Sequence, residues 1–209
     1  MEMSLIQMFQ DRGCLQIEET DKFVYASGLS GPIYCDNRMV LGCSKLRDAV
    51  TTELLKSLKK SNLKFDGILA MATGGIAIGA ILSHELSLPF GYVRSQRKVH
   101  GRGALIEGKV PTSAKILVFE DLINQGSSVI KGYQVLINAG YNVSGIMSIV
   151  NYEFEASASF FRSENVPVLS VIGFSDLLNH FEITESNPSK LKSLVDWHNR
   201  VGSKSLGTS

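Results

Sequence analysis

Glu120 and Asp121 stand side by side after the apolar run Ile116-Leu117-Val118-Phe119, and the small or amide residues Asn124-Gln125-Gly126-Ser127-Ser128 follow shortly after them. A small-residue turn that opens a helix presents free backbone N–H groups, hydroxyls and the positive end of the helix dipole to one point in space. Such a point cradles a phosphate monoester. Two adjacent acids would repel a bare phosphate, but they accept hydrogen bonds from sugar hydroxyls. A ribose with its 5′-phosphate in the cradle would offer its 2′ and 3′ hydroxyls to Glu120 and Asp121. The pattern thus fits a phosphorylated sugar. The same letters also suit a solvated acidic turn before a Ser-capped helix, and on this stretch alone both readings stand.

A second glycine-bearing turn, Ala72-Thr73-Gly74-Gly75-Ile76, follows the apolar run Gly67-Ile68-Leu69-Ala70-Met71. Close strand–helix packing also calls for glycine, yet two such turns after two buried strands would both lie at the carboxyl edge of one sheet, where open α/β folds bind ligands. A ligand with phosphate at both ends would fit them. Between Arg94 and Lys109 stand five cations (Arg94, Arg97, Lys98, Arg102, Lys109), His100 and a single acid, Glu107. Gly101, Gly103 and Gly108 make this segment pliable. Cations on a lid would neutralise the charge of a departing anion and exclude water, although charge runs are commonly just solvated surface.

These groups need a scaffold, and the periodicity supplies one. The buried runs 67–71 and 116–119 read as parallel strands, with further strands at 90–94, 143–150 and 166–171. The acids are expected where the 116–119 strand leaves the sheet. Helices are expected over 4–12, 44–60, from the Gly74 turn to about Leu86, from Ser128 to a stop at Gly140, and over 155–162. Asn187-Pro188 pairs an N-cap with proline at N1 and starts a terminal helix, in which Trp197 belongs to the core or an interface. Phe160 and Phe161 read the same way. Residues 23–38, rich in Gly and Pro turns, read as a hairpin or compact surface structure.

The chain has 209 residues, net charge +1 and 44% hydrophobic residues, the size and balance of one globular domain. Near-neutrality argues against general nucleic-acid binding, and no apolar run approaches the roughly 20 residues that span a bilayer. Cys14, Cys35 and Cys43 form no CxxC pattern and fit a reducing, cytoplasmic setting. The acids in the first dozen residues exclude a secretory leader as the reading of the N-terminus.

Taken in order, Pro32-Ile33-Tyr34-x-Asp36-x-Arg38, Ala72-Thr73-Gly74-Gly75-Ile76, Arg94-x-x-x-Lys98-x-His100-Gly101, Ile106-Glu107-Gly108 and ILVFEDLI before the Gly126-Ser127-Ser128 turn resemble the orotate phosphoribosyltransferases, of the type I phosphoribosyltransferase family. The resemblance covers most of the chain. It implies a Rossmann-like α/β core over 44–201 with a central, mainly parallel sheet, an N-terminal hood over 1–43 and a disordered tail over 202–209. The implied reaction moves the phosphoribosyl group of 5-phospho-α-D-ribose 1-diphosphate (PRPP) to orotate in pyrimidine synthesis and releases pyrophosphate.

The resemblance also assigns residues. Glu120 and Asp121 would hold the ribose hydroxyls. The segment through Leu122, Ile123, Asn124, Gln125, Gly126, Ser127 and Ser128 would hold the 5′-phosphate, and Thr73, Gly74 and Gly75 the pyrophosphate. Mg²⁺ would be bound through PRPP, with no direct protein ligand. Arg94, Lys98 and His100 would be catalytic, on a loop (94–109) that closes over the neighbouring subunit of a homodimer. Orotate would meet Asn124, Tyr34, Cys35, Asp36 and Tyr152. Gln125 stands where the family has a small hydroxyl residue, and Val99 where an acid is common. Gln125 and Val99 point to a non-catalytic sensor of PRPP as one other reading, against which Arg94, Lys98 and His100 stand; within the same fold the other is a purine-type phosphoribosyltransferase, which needs a hood that accepts a bicyclic base.

Overall fold

The structure, a computed structural model, describes residues 3–25, 28, 30–95, 105–184 and 187–202. In chain order these form α1 (Leu5–Asp11), β1 (Leu15–Ile17), β2 (Phe23–Val24), β3 (Ser30–Gly31), β4 (Ile33–Cys35), a 3₁₀-helix (Asn37–Gly42), α2 (Ser44–Ser61), β5 (Gly67–Met71), α3 (Gly74–Glu85), β6 (Phe90–Val93), β7 (Ile106–Glu107), β8 (Lys115–Ile123), α4 (Ser127–Asn138), β9 (Asn142–Asn151), α5 (Glu155–Ser163), β10 (Val168–Gly173), α6 (Phe174–Thr184) and α7 (Pro188–Gly202). Six strands make one sheet in the order β10-β9-β8-β5-β6-β7, parallel except for β7.

Strand β5 is buried at every position, as expected of a strand with helices over both faces. Its side chains alternate between two cores. Ile68 and Ala70 join Leu117, Phe119 and Met147 beneath α2, α3 and α7. Leu69 and Met71 join Ile116, Val118 and Ile146 beneath α4 and α5. The period of two thus builds a three-layer sandwich. Phe9, Leu15, Ile33 and Val40 of the N-terminal segment belong to the first core, so residues before α2 fold onto the domain.

Several expected boundaries shift for identifiable reasons. The strand expected at 116–119 runs on to Ile123, because β9 keeps pairing with it up to Ile123↔Asn151 after β5 has ended at Ala70↔Phe119. The acids therefore lie inside a strand that has lost one neighbour. The last strand begins at Val168 rather than Val166, since Pro167 only contributes its carbonyl, to Ile146 N at 2.9 Å. The stretch 23–38 is more than one hairpin. β2 pairs with β3, but β4 pairs with β1, the two ladders being separate antiparallel ribbons. Helix α6 has no counterpart among the expected elements, although buried Phe174, Leu177 and Phe181 carry helical spacing.

Other expectations stand. Gly140, at φ +83°, stops α4, and Asn187 Oδ1 accepts from Ser189 N at 3.0 Å at the start of α7. Trp197 is core, at 1% exposure against Tyr152, Phe154 and Phe174. Phe160 and Phe161 meet Tyr133 edge-on. Helix α7 includes Gly202, and residues 203–209 of the expected tail lie outside the described residues.

Candidate active site

The site is built where β8 outlasts β5. Glu120 is 6% exposed and sits beneath the first turn of α4, its Oε2 accepting from Ser128 Oγ at 3.4 Å and its Oε1 from Asp121 N at 3.1 Å. Burial, with the Asp121 carboxylate as neighbour, pushes the Glu120 pKa up to about 9. The Asp121 carboxylate lies against the backbone of Gly74, where a Cβ would overlap it. The acid pair of β8 and the turn opening α3 therefore meet directly, which explains why residue 74 bears no side chain. The peptide between Ala72 and Thr73 is cis.

Two cavities adjoin at this point. One of about 430 Å³ is lined by Cys35, Asp36, Arg38, Ala72, Thr73, Gly74, Glu120, Asp121, Leu122 and Ser128. The second, of about 170 Å³, is lined by Tyr25 and by the continuous run Leu122 to Val129. Leu122 and Ser128 belong to both walls. The smaller cavity is the turn expected to cradle phosphate. Gly126 there has φ +87°, and no side chain caps α4, so the amide groups of the first turn are left to an external acceptor. A Cβ at Gly126 would overlap Ser157. Gly126→Ala is thus expected to destabilise the fold by about 1–3 kcal/mol, through a left-handed φ and a clash with α5. Thermal melts should show a clear fall in Tm, and an unchanged Tm would contradict this packing.

The N-terminal segment closes one side of the larger cavity. Arg38 clasps the Asp36 carboxylate, Nε to Oδ1 at 2.7 Å and Nη2 to Oδ2 at 2.8 Å, and holds its pKa below the usual carboxylate range. Burial pushes the Cys35 thiol well above its ordinary pKa. Asn37 is 2% exposed, and its Nδ2 donates to the Asp121 carbonyl at 2.7 Å.

Of the residues singled out in the sequence, Thr73, Gly74, Glu120 to Ser128, Cys35 and Asp36 line this pair of cavities. Gly75 packs behind them, where a Cβ would stand 2.9 Å from the Phe119 carbonyl oxygen. Tyr34 stacks on Phe23 instead of lining a wall, with ring centroids 5.5 Å apart. Tyr152 is 1% exposed in the aromatic core and lines neither cavity. Arg94 follows Val93, whose carbonyl accepts from Ala72 N at 2.8 Å, and its Nη1 lies 3.6 Å from Glu107 Oε1. It belongs to the stem of a β6–β7 ribbon that carries the basic segment. Lys98 and His100 lie outside the described residues. The sequence reading did not single out Tyr25, Arg38 or Asn37 as site residues. Arg38 sits in a quoted motif, whereas nothing local marks Asn37, whose partner is 84 residues away.

An orotate phosphoribosyltransferase of Bacillus cytotoxicus is 37% identical over 189 residues, spanning 88% of this chain and 89% of that protein. The chain belongs to the orotate phosphoribosyltransferase family. One of Bacillus cereus is 38% identical over 186 residues, with 88% and 89% of the two chains covered. Among solved structures, the orotate phosphoribosyltransferase of Aeropyrum pernix superposes with a TM-score of 0.74 at 28% identity, covering 86% of this chain and 98% of its own. No protein-family model matches the chain. The fold is that of the type I phosphoribosyltransferases, and Gln125 lies on the wall of the smaller cavity.

Proposed function

We infer that this protein transfers the phosphoribosyl group of PRPP to orotate, giving orotidine 5′-phosphate and pyrophosphate. The observation that carries the reading is the meeting of buried Glu120 and its half-buried neighbour Asp121 with two glycine turns at helix N-termini, in a chain similar over most of its length to orotate phosphoribosyltransferases. The Asn124–Ser128 turn takes the 5′-phosphate on unpaired amides. Asp121 and Glu120 take the ribose hydroxyls, and Thr73 to Gly75 the pyrophosphate. Cys35 and Asp36, with Tyr34 behind them, face the base.

Bond breaking at C1 leaves positive charge on the sugar and negative charge on the leaving diphosphate, so the work of the site is electrostatic. Arg94, Lys98 and His100 act on the diphosphate from the segment 94–109, whose described ends adjoin the β6–β7 pairing at the same sheet edge. The loop serves the partner's site in a homodimer. A Mg²⁺ arriving on PRPP would be held through the substrate, with no direct protein ligand, where the Asp121 carboxylate meets the Gly74 turn. Such an ion neutralises diphosphate charge. Residues 1–43 act as the hood and 44–201 as the catalytic core of a cytoplasmic enzyme. Among the described residues no helix is long and apolar enough to cross a membrane.

The decisive experiment is a spectrophotometric assay of orotate consumption with PRPP and Mg²⁺. Turnover of orotate but not of adenine or hypoxanthine is expected. Turnover of a purine alone, or PRPP binding without turnover of any base, would overturn the reading. Asp121→Asn keeps the shape and loses the charge, so PRPP affinity should weaken by about 1–3 kcal/mol. Calorimetry giving the wild-type affinity would remove Asp121 from the ribose site.

A further inference from the structure

Asn37 is among the few buried polar side chains of the protein, and it lies where two parts of the proposed site meet. It follows Cys35 and Asp36 of the base-facing wall, and its Nδ2 donates to the backbone carbonyl of Asp121 at 2.7 Å. Asp121 stands two residues beyond the last β8 residue paired with β5, so its carbonyl has no strand neighbour on that side. The Asn37 amide supplies the donor that the sheet no longer provides. On its other side, Asn37 Oδ1 accepts from Cys35 Sγ at 3.4 Å. Asp36 Oδ1 accepts from Arg38 N at 3.1 Å, and Arg38 grips the same carboxylate. The segment Cys35–Arg38 is thereby locked to itself and, through one amide, to the strand that carries the acids.

We propose that Asn37 is a positioning residue that sets the base-binding segment against the ribose-binding acid through the Asp121 carbonyl. The proposal rests on the phosphoribosyl-transfer reading. Orotate must reach C1 of the sugar at close, aligned approach, and displacement of about 1 Å between two otherwise intact half-sites costs up to about 100-fold in rate. A tie between the halves thus affects ligands that span both more than a ligand held by one. Asn37→Ala should bind PRPP within about threefold of wild type, lower kcat by about 10–100-fold, and weaken orotidine 5′-phosphate, which spans both halves, by about tenfold.

Asn37→Asp adds a readout that packing alone would not move. The new carboxyl has nearly the same shape and faces Asp121, Asp36 and the Cys35 thiol, with Arg38 the nearby cation. Ionised, it sets acceptor against acceptor; protonated, it donates to the Asp121 carbonyl again. Its kcat relative to wild type should therefore rise as pH falls. Should Asn37→Ala fail to fold, Asn37→Asp carries the test. Wild-type kcat in folded variants, equal weakening of PRPP and orotidine 5′-phosphate, or a ratio independent of pH would each overturn the proposal. Wild-type turnover is measured alongside: failure of the transfer reading shows as an inactive wild type, and failure of this proposal as an active wild type matched by its variants.

Discussion

Lys98→Ala is expected to lower kcat by about 10²–10³-fold while moving KM for PRPP far less, the behaviour of an interaction made chiefly in the transition state. The motive is charge placement. The basic run is anchored by the β6–β7 ribbon, in which Tyr92↔Glu107 and Val93↔Ile106 pair and Arg94 N donates to Leu105 O at 2.7 Å. That stem leaves the sheet beside the Ala72 turn, on the edge where the diphosphate is proposed to sit. A rise in KM with kcat intact would reduce the segment to a binding clamp. The same variant tests the shared loop. Mixed with Asp121→Asn at PRPP concentrations far below that variant's KM, where each protein alone turns over little, and allowed to exchange, the pair should recover about a quarter of wild-type activity. Random pairing makes half the dimers mixed, and one site of each mixed dimer then has both an intact loop and an intact ribose pocket. A loop that closes over its own site gives no recovery. Size-exclusion chromatography of the mixture shows whether exchange took place.

Glu120→Gln should move stability and activity in opposite directions. In the folded protein the Glu120 pKa is raised to about 9 by burial and by Asp121, while in the unfolded chain it returns to the ordinary glutamate range. Between those values the folded state holds a proton that the unfolded state has released, so the contribution of Glu120 to wild-type stability is fullest in acid and is lost as pH rises toward 9. Glutamine has no proton to lose. The variant should gain on wild type by on the order of 1–4 kcal/mol between pH 5 and pH 8, a difference of several degrees in Tm. Over the same change PRPP turnover should fall at least tenfold, because bound PRPP and its Mg²⁺ draw off the Glu120 proton and the ribose then meets a carboxylate in wild type but only an amide in the variant. Melts across pH read the first effect and the orotate assay the second. Parallel pH slopes for the two proteins would show that Glu120 is not the buried titrating group.

Such opposition is what a functional carboxyl in an apolar setting produces. A residue chosen for stability would not be buried acid beside acid, with a serine hydroxyl at 3.4 Å as its side-chain donor. The cost is offset elsewhere, by the two cores on either face of β5 and β8.

Local chemistry was enough to read many elements from the sequence. Ile116 to Phe119 is apolar without a break because both faces of the sheet are covered. Asn187 and Pro188 mark a helix start, and Gly140 a stop, because their backbone preferences act within a few residues. The acid pair and the two glycine turns were legible as motifs for the same reason. That they share one adjoining pair of cavities was not, since it depends on β5 ending at Met71 while β8 runs on to Ile123 beside the longer β9. Strand ends of this kind are set by neighbours, not by the residues at the end. Tyr152 shows the limit from the other side. The family resemblance assigned it to orotate, but α7 brings Trp197 and His198 over it, His198 Nε2 lying 2.6 Å from the Tyr152 carbonyl oxygen, and the ring is taken into the core. Asn37 and the Asp121 carbonyl meet across 84 residues. No periodicity records that contact, because it exists only once the N-terminal segment has folded onto the sheet and a strand has run out of neighbours.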